Sequence, residues 1–448
     1  MSRYVFFALI GLLVYLPLLF PVVFGRVRLH SLYGWMIASA TIGLVVRPTY
    51  LLFFSRDRTF DEGFFWRDVP TEAFFLPAAY VALGSSVLAA AYLSSVGGDS
   101  SIPSVFRHVE SPSRMRLVAT VLSLVGIVAA VSFVQDTGGF NLQSLSTKRV
   151  VASEASIQRG LQSVGVASAV GRAGLIASVL LFHLRKSQGL SSGIAGALVV
   201  ANLFLPFYAS DRTGLLLVLL QLSALTALRV GRLDRRKLLA IAAIVLLLLQ
   251  LLTSLRVAGR SDQSISFSGI DGTVDVVVNN RSFFDLSKNL HVPRAAGNEL
   301  EFRFGGTAVG AVFGPIPRSI WSGKPLVSVG PEVGQTIYGT SVAGVPPGLI
   351  GESFWNFHVG GLLIVLLAGV LFGRLDRVDP GRLSPFFQVA FVFLVLPLAY
   401  NAVASSFAGV ALDIYRDGFS MLLLWVGHRI LPGKRPVETR VAEPTALR

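Results

Sequence analysis

Apolar runs of about 17 to 25 residues, separated by short polar stretches, follow one another along most of this chain. A run of that length, wound as a helix, spans the ~30 Å of hydrocarbon in a bilayer. Membrane β-strands would instead alternate apolar and polar positions, and no such alternation is present. Helical spans are therefore predicted at about 4 to 24, 33 to 54, 73 to 95, 115 to 134, 165 to 184, 190 to 208, 213 to 229, 238 to 256, 352 to 373, 384 to 404 and 415 to 431. The predicted fold class is all-α and polytopic, with about eleven transmembrane helices. Helices one to eight fall within 1–256, a long extracytoplasmic loop within 257–351, helices nine to eleven within 352–431, and a cytoplasmic tail within 432–448. The first run, Tyr4 to Phe24, is preceded by Arg3 and followed by no small-residue cleavage pattern, so it reads as a retained span.

Orientation follows from the short loops, which set topology through their lysines and arginines. If successive spans alternate, Arg26 and Arg28, then Arg107, Arg114 and Arg116, then Arg185 and Lys186 share one side. Arg229 to Lys237, Arg374, Arg377, Arg382, Lys434 and Arg435 join them, and that side is cytoplasmic. The amino terminus then lies outside and the carboxyl terminus inside. The long segment 257 to 345 faces out with 55 to 72, 135 to 164, Ser210 to Arg212 and 405 to 414.

A structureless loop of that length would be unusual, which predicts short helices lying on the membrane, with Val274 to Leu290 as one of them. Gly305 to Gly351 is rich in glycine and proline yet still apolar, and predicts irregular backbone packed among the spans.

Composition agrees with the pattern. The chain is 53% apolar and 14% charged, against about 25% charged in soluble domains. It contains no cysteine, which excludes disulfides, cysteine-ligated zinc and thiol nucleophiles. The net charge of +14 is dispersed between spans rather than gathered in one patch, so membrane lipids with anionic headgroups, and not nucleic acid, are the expected partners.

Charged groups within spans cost on the order of 2.5 to 3.5 kcal/mol at the centre, so each needs a reason. Arg47, Arg172, Arg212, Arg256 and Arg416 all fall toward the outer leaflet. Guanidinium forks bind phosphate oxygens bidentately and stay charged when desolvated, so this set predicts a site for a diphosphate or another polyanion. The structural alternative is snorkelling, or pairing with Asp211 and Asp417. Further on, Pro315, Arg318, Trp321, Lys324 and Pro325 precede Glu352, Asn356 and His358, bringing cations, a carboxylate and an imidazole toward the ninth span. Glu352 and Asn356, four apart, share a helix face, and His358 lies roughly opposite Asn356. The alternative for Glu352 is a charge favoured by a helix N-terminus.

Topology leaves His291 and His358, of six histidines, for chemistry on the outer side. Neither has a second histidine or paired carboxylates at ligand spacing, so no metal site is predicted. The nucleophile elbow, the Walker loop and the zinc-protease motif are missing, which argues against hydrolases and nucleotide-driven machines.

The ordered set Ser146-Thr147-Lys148-Arg149, Ser210-Asp211-Arg212-Thr213-Gly214, Ile316 to Trp321 with Lys324-Pro325, and Gly351-Glu352 to Asn356-Phe357 resembles the Wzy-type polymerases of O-antigen and exopolysaccharide repeat units. The likeness covers the whole chain in layout. His358 stands where such proteins often carry glycine, and the long loop holds no family-defining catalytic triad. The resemblance implies a metal-independent, cofactor-free glycosyltransferase of the bacterial cytoplasmic (inner) membrane. Its donor would be a polyprenyl-diphosphate-linked oligosaccharide, with a chain-length regulator and other polysaccharide assembly proteins as partners.

On that expectation Arg212 and Arg318 act catalytically on the departing diphosphate, with Arg256 and Lys324 beside them. Glu352 or His358 serves as base, and His291 comes third. Arg47, Arg172, Arg416, Lys148, Arg149 and Asn356 complete the binding set. Two other readings share the layout: an O-antigen ligase, and a transporter or flippase for anionic lipid-linked glycans, although the inverted repeats usual in transporters are not visible.

Overall fold

The computed structural model describes residues 3–27, 31–54, 69–97, 106, 112–136, 162–185, 189–208, 212–230, 247, 251, 284–316, 320, 321, 323, 329–339, 345–398, 401 and 405–430. Among these residues the structure is helical and contains no strand. Helices overlie each predicted span except 238 to 256, of which only residues 247 and 251 are described; the loop from 257 to 283 and the tail lie outside the described residues. Five of them, Val5–Val23, Leu32–Phe53, Thr71–Val96, Ser113–Gln135 and Gly348–Asp376, are long and apolar enough to cross a membrane. That is the pattern of a multi-pass membrane protein.

The chain begins with α1 (Arg3–Val23) and α2 (Leu32–Ala40). A π-helical turn, Thr41–Val46, then leads directly into α3 (Arg47–Phe54). After a 3-10 turn at Thr71–Phe74 come α4 (Phe75–Val96), α5 (Pro112–Asp136), α6 (Gln162–Leu184), α7 (Ser192–Tyr208) and α8 (Arg212–Val230). Four short helices follow: α9 (Leu286–Ala295), α10 (Gly306–Val312), α11 (Gly330–Tyr338) and α12 (Gly348–Phe357). A 3-10 turn at His358–Gly361 joins α12 to α13 (Leu362–Asp376). The last elements are α14 (Pro385–Ala390), a second π turn at Phe391–Val395, and α15 (Phe407–Ile430).

Two apolar cores hold these helices. The first draws on α1 to α4, α9, α11, α12 and α13, around Tyr33, Tyr92, Phe284 and Trp355. The second draws on α5 to α8, α14 and α15, around Leu180, Val218 and Phe393. Helices in lipid gain little from apolar burial against one another, so close approach of small residues matters more. Gly369 and Gly373 provide it on α13: a Cβ at Gly369 would come within 2.6 Å of the Leu88 carbonyl oxygen, and one at Gly373 within 2.8 Å of that of Tyr92. At the far end of α13, Asp376 accepts from the Leu32 amide at 2.6 Å, the Tyr33 amide at 3.1 Å and the Tyr92 hydroxyl at 3.0 Å, capping α2.

Helix α9 departs from expectation. Its residues lie within the stretch predicted to rest on the membrane, yet all but Arg294 are buried inside the protein. The sequence along α2 and α3 explains why. Ser39, Gly43 and Arg47 recur every four residues and form one stripe. The Ser39 hydroxyl accepts from the Phe284 amide at 3.0 Å, the bare Cα of Gly43 lets the Phe284 carbonyl press against the helix, and Arg47 donates to Asp285 at 3.3 Å. That stripe pins the start of α9 to the second span. Likewise, Gly305 to Gly351 is only partly irregular: α10, α11 and the start of α12 are built from it.

Candidate functional site

Helix α12 is the hub. Glu352 has no exposed surface, and its Oε2 accepts from the Phe407 amide at 2.7 Å, so it caps the first turn of α15 from another helix. Such an amide has no partner within its own helix, and a carboxylate there is also favoured by the helix dipole. One turn on, Asn356 does the same for α10. Its Oδ1 accepts from the Thr307 amide at 3.3 Å, and its Nδ2 donates to the Thr307 hydroxyl at 2.7 Å and the Glu352 carbonyl at 2.8 Å. The Thr307 hydroxyl in turn bears on the Glu352 carboxylate. The opposite side of α12 meets α9, where Asn289 Oδ1 accepts from the Gly351 amide at 3.1 Å.

His358 ends this helix with φ at 52°, a left-handed conformation that is strained for a residue with a side chain. Its ring is exposed, with centroids 4.7 Å from Phe354 and 5.6 Å from Phe302. The two candidate bases therefore sit in opposite settings: Glu352 is enclosed and engaged, whereas His358 is open to the surface.

Of the candidate arginines, Arg47, Arg172 and Arg416 are held by carboxylates. Arg172 forms a bidentate fork on Asp417, with Nε at 2.8 Å and Nη2 at 2.9 Å, while its guanidinium lies 5.4 Å from the Phe393 ring centroid. Arg416 reaches the same Asp417 at 3.5 Å and Asp413 at 2.7 Å, and Asn401 donates to Asp413 at 2.8 Å. Asp417 is the shared anchor, and its side chain is 2% exposed. Helix α15 begins at Phe407, so Arg416 lies about two and a half turns inside it rather than at its opening. Its charges also explain why α15 is missing from the helices apolar enough to span.

Arg47 lies deeper in the first core, 3% exposed, and shares Asp285 with Lys288 at 3.9 Å. Sequence reasoning missed Asp285 and Asp413 as partners, and Lys288 beside Asp285, because Arg47 meets Asp285 only through tertiary packing and the pairs Lys288–Asp285 and Arg416–Asp413 depend on a helix register that the charge pattern leaves open. Both π turns adjoin these arginines. Thr41–Val46 runs straight into Arg47, and Phe391–Val395 contributes the Phe393 ring under Arg172. Such widened turns occur mostly at functional positions.

The structure brings Glu352 and Asn356 together on α12, with His358 just beyond, and it brings Arg172 and Arg416 onto one carboxylate. Arg47 stands apart from both groups, on Asp285. Arg212 is the first residue of α8, and nothing is described of its side chain. Lys148, Arg149, Asp211, Arg256, Arg318 and Lys324 lie outside the described residues. His291, the third candidate base, is buried between the rings of Phe74 at 4.8 Å and Tyr338 at 5.6 Å. Among the described residues, no three histidine or carboxylate side chains gather where they could share a metal ion.

Compared with protein-family models, curated proteins and solved structures, the chain matches none.

Proposed function

We propose that this chain is a polytopic membrane glycosyltransferase of the bacterial cytoplasmic membrane. It crosses the bilayer about eleven times and polymerises polyprenyl-diphosphate-linked oligosaccharide units on the extracytoplasmic face. The observation that supports this reading is the burial of charged groups inside an apolar helix bundle: Arg47 is 3% exposed on Asp285, and Arg172 and Arg416 share Asp417, the pairing that is also the structural alternative for those two. Charges so costly to bury mark substrate sites in membrane proteins. A planar guanidinium fork matches a phosphate as well as it matches a carboxylate.

In the reaction, a hydroxyl of the terminal sugar on one lipid-linked unit attacks the anomeric carbon of another. The bond from that carbon to the diphosphate oxygen breaks, the diphosphate leaves with the electron pair, and the hydroxyl proton passes to a base. Arginines positioned where the diphosphate charge develops supply the main electrostatic assistance. Arg212, Arg256, Arg318 and Lys324 are assigned to that task, with Arg47, Arg172 and Arg416 behind them and Lys148 and Arg149 steering the anionic substrate. Glu352 or His358 takes the proton, worth about 10² to 10⁴ in rate. Cations of the chain take the part that a divalent ion plays in other transferases, and turnover is expected to continue in chelator.

The test is a deletion strain complemented with Arg212→Ala or Arg318→Ala. Expected are normal expression and membrane insertion, loss of long polymer, and accumulation of single lipid-linked repeats. An unchanged chain-length distribution refutes the assignment. Undiminished long polymer retained on its carrier in the deletion strain would instead identify a ligase.

A further inference from the structure

One edge of the protein combines aromatic rings with charged groups around His358. Phe304 is 83% exposed, although its φ of 45° places a bulky residue in the left-handed region. The ring of Phe302 lies 6.1 Å from that of Phe304 and 5.6 Å from that of His358, the other residue bearing a side chain at positive φ. Gly305 lies between Phe304 and α10, where a Cβ would come within 3.3 Å of the ring of Phe357, itself 39% exposed. Two strained residues thus share one exposed cluster, and strain of this kind concentrates at binding and catalytic sites.

The chemistry of the rim selects the occupant. Arg303 lies 5.2 Å over the Trp355 ring and pairs with Glu332, and these two side chains are 35% and 28% exposed. Glu301 is exposed as well, with its carbonyl accepting from Trp355 Nε1 at 2.7 Å. Acyl chains would leave such charges unsolvated, whereas the hydroxyls of a sugar satisfy them. The rings present flat apolar faces suited to the C–H face of a pyranose, with polar groups beside them to fix its orientation.

We infer that Phe302, Phe304, Phe357 and His358, with Arg303 and Glu332, form a carbohydrate-binding shelf. Sugar binding there stands on this geometry alone, and its identity as the acceptor subsite rests on the proposed polymerase function. On that reading the shelf stacks the terminal sugar of the acceptor and brings its hydroxyl to His358.

Phe304→Gly is the discriminating variant, since glycine suits the backbone conformation and an exposed ring contributes little to folding. The full-length protein in nanodiscs would be titrated with the oligosaccharide freed by mild acid from the source cell's own lipid-linked glycan, using saturation-transfer NMR. Expected is binding by the wild-type protein and an affinity at least about tenfold weaker for Phe304→Gly, with melting unchanged. Equal affinity overturns the shelf. In the second arm, Phe304→Trp is placed in nanodiscs of brominated-acyl lipid. Weak quenching of the added fluorescence supports a water-facing shelf, and strong quenching places it against acyl chains and overturns the inference. The titration involves neither diphosphate nor transfer. Sugar binding without polymerisation would therefore refute the proposed function alone, and polymerisation with binding untouched by Phe304→Gly would refute the shelf alone.

Discussion

Asp417→Asn tests most directly whether the arginines are held in place by their carboxylates. In the native protein Asp417 accepts both arms of Arg172, at 2.8 and 2.9 Å, with side-chain exposures of 11% and 2% for the arginine and the aspartate. Removing one partner of a buried pair strands the other charge, at a cost of about 3 to 5 kcal/mol. The Phe393 face 5.4 Å away is present in both proteins and so does not make up that loss. Arg172→Gln is expected to cost less, near the lower end, because Asp417 keeps Arg416 at 3.5 Å. The double variant removes both charges, so its loss falls short of the sum of the single losses by about 1.5 kcal/mol or more. Unfolding from a membrane is commonly irreversible, so the assay ranks variants by the temperature at which half the detergent-held protein leaves the monodisperse peak after heating. The expected order of retained stability is wild type, Arg172→Gln, Asp417→Asn. A melting point for Asp417→Asn equal to wild type, or strictly additive single losses, would refute the reasoning.

Two further outcomes follow from close contacts. Gly43→Ala places a methyl against the carbonyl of Phe284, whose amide is held by the Ser39 hydroxyl, so it is expected to cost about 3 kcal/mol and to release α9; faster proteolysis within 286–295 than in wild type is the readout, and wild-type resistance would contradict it. Glu352→Gln keeps an acceptor for the Phe407 amide, whereas Glu352→Ala leaves that buried N–H unsatisfied, at about 1 to 3 kcal/mol. If Glu352 is the base, the glutamine variant melts like wild type and fails to polymerise; full polymer length in that variant leaves Glu352 a purely structural cap and passes the role to His358.

What the chain states locally, it states well. A run such as Tyr4 to Phe24 must be helical in lipid, because no other arrangement satisfies its backbone amides, and the described helices overlie the apolar runs accordingly. The glycine and proline content between Gly305 and Gly351 predicted irregular backbone, whereas α10, α11 and the start of α12 are helical there. Neighbours in sequence also placed Glu352 and Asn356 on one face of one helix.

Tertiary structure decided the partners. Arg47 meets Asp285 across 238 residues, and no periodicity encodes that pair, whereas the sequence offers Asp417 as the structural alternative and it does hold Arg172, across 245 residues. The burial of α9, with its lysine, histidine and asparagine, was equally illegible, since its composition reads as a surface helix until the stripe of Ser39, Gly43 and Arg47 receives it. The structural alternative for Glu352, beside its reading as a base, was a charge at its own helix start, and packing gave its carboxylate to the first turn of α15 instead. Apolar length alone determines that a segment crosses a membrane, because lipid leaves the backbone no alternative, whereas polar pairing depends on which helix faces which, and only the assembled bundle settles that.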